Sequence, residues 1–342
     1  MKIGNLDLNR DLLIIAEIGN NHEGDFAAAR ELVRRAAACG VQAVKFQTFQ
    51  TRYFVSPRDS ARFERLRRFE LSSPQFTELQ KLAHSLGLLF ISTPLDLISA
   101  RFLAGLVDCY KIASGDNNFY PLLAEVCGTG KPVILSTGLG DLQQVIKTRQ
   151  FILSACQQRQ IQPQLALLHC VSGYPVPPEE ANLAAIPVLK ARLGGAVGYS
   201  DHTLGVDACL AAVALGACII EKHFTLDKQF SDFRDHQLSA DPQEMRHLVE
   251  QAARIRVLLG TGEKVLQPCE AAVAPLARRS IAAAADLPAG RRLRWEDLTW
   301  LRPAGGLPPG EEAQLLGRGL KRAVGFGEPL LPCDVEDGLE KT

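Results

Sequence analysis

A closed α/β barrel of eight parallel strands, followed by a small and mostly β module, is the fold class that this sequence predicts. Three observations lead to it. Apolar strand-like runs alternate with helical stretches from residue 12 to about residue 259, the β-then-α order of a parallel sheet. There are eight such runs, a number that closes into a (β/α)₈ TIM barrel rather than leaving an open sheet. Beyond residue 259 the pattern changes to short runs between Pro and Gly turns.

The strands are read at 13–17, 43–46, 88–92, 109–112, 133–136, 165–170, 196–199 and 219–222. Each is a short, continuous apolar run, as expected of a strand covered on both faces. Between them, 27–39, 74–86, 141–158, 179–192, 204–216 and 242–259 have the mixed or amphipathic character of helices that cover such strands. The connection 48–73 is long for a βα loop and rich in arginine and phenylalanine, so it reads either as a lid that captures substrate or as a solvated face. The barrel is assigned to residues 1–266, a linker to 267–277 and the small module to 278–340. A module of that size is marginal alone and is expected to rest on another surface.

Composition narrows the function classes. The chain has 342 residues, 46% hydrophobic and 22% charged, as in an ordinary soluble globular protein. Its 38 basic and 38 acidic side chains cancel, so no general field draws it to nucleic acid or to a membrane surface. An anionic ligand has to be held by local groups. The first residues, MKIGNLDLNRD, contain no apolar signal core, and no apolar run approaches the ~20 residues of a membrane span; a cytoplasmic protein is expected. Nine cysteines without a Cys-x-x-Cys pair are expected to be reduced, with Cys170 either packing or acting as a nucleophile or ligand.

The chemistry is read at the strand ends. A strand buried on both faces cannot carry charge along its length, so charged groups belong at its open end, where a barrel keeps its active site. In chain order these ends present Glu17, Lys45 with Gln47, Thr93, Lys111 with Ser114 and Asp116, Ser136 with Thr137, Ser172 with Tyr174, Ser200 with Asp201 and His202, and Glu221 with Lys222 and His223. Lysines and hydroxyls suit a phosphate or carboxylate. Two imidazoles beside carboxylates suit a divalent metal that polarises a carbonyl. A small phosphorylated acid and a carbonyl partner are implied together. The plainer alternatives are histidines that hydrogen-bond locally, and Thr137 and Thr203 as helix N-caps.

Several stretches resemble one family. Residues 16–24 (AEIGNNHEG), 45–48 (KFQT), 111–115 (KIASG), 136–138 (STG), 169–175 (HCVSGYP), 199–203 (YSDHT) and 221–225 (EKHFT) look like the sialic acid synthases. Arg278-Arg279-Ser280, Asp297-Leu298 and the 302–306 stretch RPAGG resemble that family's C-terminal antifreeze-like (SAF) domain.

The resemblance implies condensation of phosphoenolpyruvate with an open-chain N-acetylmannosamine-type sugar, giving a nonulosonic acid and phosphate. It implies Mn²⁺, with Mg²⁺ or Co²⁺ as alternatives, on His202 and His223. Lys45, Lys111, Ser114, Ser136, Ser172 and Ser200 would hold phosphoenolpyruvate, and Thr93 and Glu221 join them as substrate-binding groups. Glu17, Gln47, Tyr174 and Asp235 would lie toward the sugar or its water. A domain-swapped homodimer is implied, in which Arg302 of one copy reaches the sugar's N-acetyl group in the other.

Two positions depart from the family pattern. Asp116 stands where many members have glutamate. In the 231–236 stretch SDFRDH, many have Pro-Gly before an x-Asp-His, and Arg234 is an extra cation that either meets a substrate anion or pairs with Asp232. Two rival readings remain: a class I aldolase with a Schiff base on Lys45, Lys111 or Lys222, and a non-catalytic carbohydrate-binding protein. The acceptor is open among N-acetylmannosamine, its 6-phosphate and the diacetamido-trideoxyhexoses that lead to legionaminic or pseudaminic acid.

Overall fold

The computed structural model describes residues 1–337. The chain divides after Gly260 into two compact units. In the first, eight parallel strands close into a barrel: β1 (Leu13–Gly19), β2 (Ala43–Thr48), β3 (Leu89–Pro94), β4 (Cys109–Ile112), β5 (Val133–Ser136), β6 (Leu165–Cys170), β7 (Ala196–Asp201) and β8 (Ile219–His223), with β8 returning to β1. The fold class is as expected from the sequence.

The two-residue period of a strand sorts every side chain to one of two cores. Leu13, Ile15, Ala43, Ile91, Cys109, Ile134, Ala166, Leu168 and Ile219 point inward and fill the barrel's lower half. Ile3 and Leu8 join this cluster, and Ile3 sits in an N-terminal hairpin that pairs Lys2–Ile3 with Leu6–Asp7. The intervening residues, such as Ile14, Ala16, Ile18, Val44, Phe46 and Tyr110, point outward and pack beneath the helices. Continuing the inward series up each strand gives Glu17, Lys45 and Gln47, Thr93, Lys111, Ser136, Cys170, Ser200 and Glu221. The same parity that builds the apolar floor therefore delivers the polar groups to the open end. At Gly198 a Cβ would stand 2.4 Å from the Ile219 carbonyl oxygen and 2.7 Å from Leu168 Cδ2, so only glycine fits that layer.

Helix starts are fixed by side-chain caps. Asp25 accepts from the backbone N–H groups of Ala27 and Ala28 at the start of Phe26–Ala38, and Asp141 from that of Gln144 at the start of Leu142–Gln158. Asp241 and Glu244 form a reciprocal box before Pro242–Leu259. Thr137 instead donates to the Leu168 carbonyl, and no side chain caps Asp207–Ala214, so neither threonine is an N-cap. The helix expected over 179–192 begins only at Ala185, because Asn182 adopts a positive φ of 45° that a helix cannot continue through. The long connection 48–73 contains two helices, Thr51–Phe54 and Ser60–Phe69.

In the second unit β9 (Ser280–Ala283) pairs antiparallel with β10 (Leu298–Leu301) over a small core that includes Ile281, Leu293, Leu315, Leu330 and Val335. The last three residues of the expected 278–340 module lie outside the described residues. All nine cysteines are free thiols. Among the described residues no helix is long and apolar enough to cross a membrane.

Candidate active site

A cavity of about 750 Å³ opens at the carboxyl end of the barrel strands. Most barrel residues expected at the site line it, namely Glu17, Lys45, Gln47, Thr93, Lys111, Ser114, Asp116, Ser136, Ser172, Tyr174, Ser200, His202, Glu221, His223 and Asp235.

At its floor two lysines interleave with two glutamates. Lys45 Nζ lies 2.6 Å from Glu17 Oε2, a charge contact rather than an aligned hydrogen bond, and 3.7 Å from Glu221 Oε1. Lys111 Nζ lies 3.5 Å from the same Glu221 oxygen. Thr93 accepts from Lys45 at 3.3 Å, and Ser200 donates to Glu221 at 3.0 Å. Burial pushes Glu17 upward and outweighs its attraction to Lys45. Lys45 feels burial first, but answers to both glutamates, and its pKa is raised. Burial dominates at Lys111, whose pKa is lowered. Burial would raise Glu221 as well, but the two lysines more than offset it and hold the carboxylate low. Three buried oxygens of the floor make no hydrogen bond, Glu17 Oε2, Ser136 Oγ and Glu221 Oε2, so the floor is polar, desolvated and incompletely satisfied.

Gly138 brings the hydroxyl wall together. The Ser114 hydroxyl accepts from its N–H at 3.1 Å, and a Cβ on Gly138 would stand 2.7 Å from both Ser114 Oγ and Ser172 Oγ. Asp116 sits half-buried on the turn Ser114–Asp116, where burial pushes its carboxyl up to about 6.

The imidazoles of His202 and His223 face each other with ring centroids 5.4 Å apart, and Tyr174 covers His202 at 4.2 Å. His202 Nδ1 is 2.8 Å from the Val171 carbonyl, which only accepts, so Nδ1 carries a proton and Nε2 is the nitrogen that offers a lone pair in the neutral ring. Burial pushes the pKa of this ring down, but the Cys170 thiol and the Val171 carbonyl more than offset it, and the pKa is raised. His223 Nδ1 is buried and has no partner, and burial holds this ring well below the usual histidine range. A neutral ring and an anchored ring are the forms in which imidazole binds a divalent ion, so the pair fits such an ion. Among the described residues no set of three or more His, Cys, Asp or Glu side chains is grouped as a metal site; the fit rests on two imidazoles and leaves further positions for water or substrate.

Three barrel residues expected at the mouth are elsewhere, one of them Thr137, whose hydroxyl turns to the Leu168 carbonyl. Lys222 and Asp201 fall on the outward parity of β8 and β7 and are completely buried outside the cavity, 2.7 Å apart. Arg234 pairs with Asp235 rather than Asp232 and lines the cavity: its Nε lies 3.4 Å from Asp235 Oδ1 and its guanidinium stacks 4.4 Å over the Tyr174 ring. Arg302 belongs to the second unit, where it is exposed just after β10.

Sequence reasoning missed Asn20, Arg62 and Arg65, which also line the cavity, as does Cys170, expected either to pack or to act as a nucleophile or ligand. Asn20 donates to Gln47 at 2.9 Å, and Cys170 Sγ is 3.8 Å from His202 Nδ1. Their signals were present but weak. Asn20 stands just beyond β1, and the two arginines are spaced i, i+3 on Ser60–Phe69, one face of a helix read as a loop.

A NeuB family model matches residues 32–264 and a SAF domain model matches 278–336. An uncharacterized protein of Methanocaldococcus jannaschii is 44% identical over 90% of this chain and 90% of its own length. The N,N'-diacetyllegionaminic acid synthase of Legionella pneumophila is 40% identical over 93% of each chain. The crystal structure of an N-acetylneuraminic acid synthetase from Leptospira borgpetersenii, 34% identical, superposes with a TM-score of 0.74 over 79% of this chain and 93% of that one. With the barrel, the strand-end residues and the second unit all accounted for, the chain belongs to the NeuB family of nonulosonic acid synthases and carries a SAF domain.

Proposed function

We propose that this protein condenses phosphoenolpyruvate with the open-chain aldehyde of an N-acylated mannosamine-type sugar. The observation that carries the reading is the union in one cavity of two buried lysines, an unpartnered buried hydroxyl and a facing imidazole pair. C3 of phosphoenolpyruvate bonds to the aldehyde carbon, whose oxygen takes up a proton. Water adds to the cationic C2, and phosphate leaves as its bond from that carbon to oxygen breaks. Lys45, Lys111, Ser114, Ser136, Ser172 and Ser200 hold phosphoenolpyruvate, with Thr93 and Glu221 orienting the lysines. Preset donors of this kind need little reorganisation as charge moves. Glu17, Gln47, Tyr174 and Asp235 face the acceptor and its water. A divalent ion, Mn²⁺ before Mg²⁺ or Co²⁺, would be held by His202 and His223 and supplies Lewis acidity toward the aldehyde oxygen when bound. The reading includes assembly as a homodimer.

An imine mechanism fits these lysines poorly. Lys222 is locked outside the cavity, and Lys45, with its raised pKa, is held as the ammonium by two glutamates; only Lys111, pushed downward by burial, has the tendency that a Schiff-base amine needs. The test is incubation with phosphoenolpyruvate, Mn²⁺ and, in turn, N-acetylmannosamine, its 6-phosphate and the diacetamido-trideoxyhexoses. One acceptor should release phosphate and give a product with the summed mass of both reactants and one water less phosphoric acid, and borohydride should trap no lysine adduct. A trapped adduct on Lys111 would move the enzyme to the aldolase class.

Asp116 is assigned to accept the proton of the attacking water. With its carboxyl near 6, kcat should fall as the pH drops through about that value and the base is lost. Asp116→Asn should lower kcat by about 10²–10⁴-fold and flatten this acid limb, and Asp116→Glu should restore it. An acid limb that persists unchanged in the Asn variant assigns the proton to another group.

A further inference from the structure

The outward pair on β7 and β8 has no place in the chemistry above, yet it is the most tightly enclosed ionic contact of the barrel. Asp201 and Lys222 are each fully buried, stand opposite one another in the strand register, and meet at 2.7 Å. Asp201 Oδ1 accepts from the Tyr199 hydroxyl and from the Thr203 N–H, both at 2.9 Å, and Oδ2 from the Cys209 thiol at 3.3 Å. The Lys222 ammonium also donates to the Thr203 carbonyl at 2.6 Å. One ammonium thus grips the residues on both sides of His202, and Lys222 is itself the residue before His223.

We propose that Asp201 and Lys222 are positioning residues for the imidazole pair, fixing from the outer face of the barrel the register and rotation at which His202 and His223 meet inside it. The proposal rests on the reading of those histidines as ligands of a divalent ion. The physical argument is one of parity. In neighbouring strands, Ser200 and His202 alternate with Asp201, and Glu221 and His223 with Lys222, so a rotation of either strand end that moves an imidazole must also move its outward neighbour. Buried ion pairs are rarely worth more to stability than an apolar pair of the same volume, and their best-attested use is to set geometry. Here the geometry being set is that of two rings whose lone pairs must converge.

The experiment is calorimetric titration of MnCl₂ into the full-length apo-protein, with melting temperatures recorded alongside. Wild type should bind Mn²⁺, and His223→Ala should lose that binding. The double variant Asp201→Asn/Lys222→Met removes both charges while keeping an oxygen to accept from Tyr199 and Thr203. It should remain folded and bind Mn²⁺ about 10–100-fold more weakly, the range for groups that orient a ligand from behind. Tyr199→Phe keeps the ion pair and deletes one of its supports, and should weaken Mn²⁺ binding several-fold with little change in melting temperature; it carries the test if the double variant does not fold. Folded variants that bind Mn²⁺ as tightly as wild type overturn the positioning role and leave the ligand reading standing. Absence of Mn²⁺ binding to wild type overturns the ligand reading, and the positioning role with it.

Discussion

Replacing His202 or His223 by alanine should lower turnover by about 10³-fold, and exhaustive chelation of wild type should do the same, because a Lewis acid at a reacting carbonyl contributes several kcal/mol to the transition state. The variants should keep the fold. Both rings stand above the apolar floor of the barrel, and neither Ile15, Ile91 nor Leu168 depends on them for packing. Circular dichroism and melting curves check the fold, and phosphate release from phosphoenolpyruvate checks the rate. Restoring activity to chelated wild type, but not to the variants, by adding Mn²⁺ links the two losses. Full turnover by chelated enzyme would contradict the metal assignment.

The second large effect is on stability. Lys45→Met should cost about 3–5 kcal/mol near neutral pH, the usual consequence of removing one partner from a buried ionic group. Lys45 is the cation nearest Glu17, and without it that carboxylate faces burial and the Glu221 charge with little compensation. The direction with pH follows. Burial already raises the Glu17 pKa, and loss of Lys45 raises it further, so the folded variant holds a proton that the unfolded chain has released. The variant's deficit is therefore largest above the folded pKa and shrinks as the pH falls toward the unfolded value of about 4.3. Urea unfolding of wild type and variant at about pH 8 and about pH 5 measures it. A deficit below about 1 kcal/mol at both pH values would show that Glu17 is not held by Lys45.

Much of the molecule is legible in its residues because a two-faced buried strand tolerates polarity only where it ends. That rule located the barrel and brought Glu17, Lys45, Lys111, Ser136, Ser200 and Glu221 to one cavity. It failed at Lys222 and Asp201 for a definite reason. A polar group near a strand end can also point outward if it finds a partner there, and the two directions differ by a single residue of register. Arg234 was unreadable for another reason: its contacts, Tyr174 and Asp235, involve a loop from β6 that no local pattern ties to the loop after β8. The helix Ser60–Phe69 was hidden by its composition, since four arginines in ten residues read as a loop, either a lid or a solvated face.

The apolar floor also constrains traffic. With Leu13, Ile15, Ile91 and Leu168 filling the lower half and Ile3 and Leu8 packed with them, the reaction chamber is a blind well. Whatever binds against Lys45 and Lys111 must arrive before anything that sits above it, and must wait for that neighbour to depart. Such a vessel imposes a queue: under the proposed reaction phosphoenolpyruvate would enter first, the sugar would close over it, and the new carbon chain would have to clear the entrance before the next cycle starts.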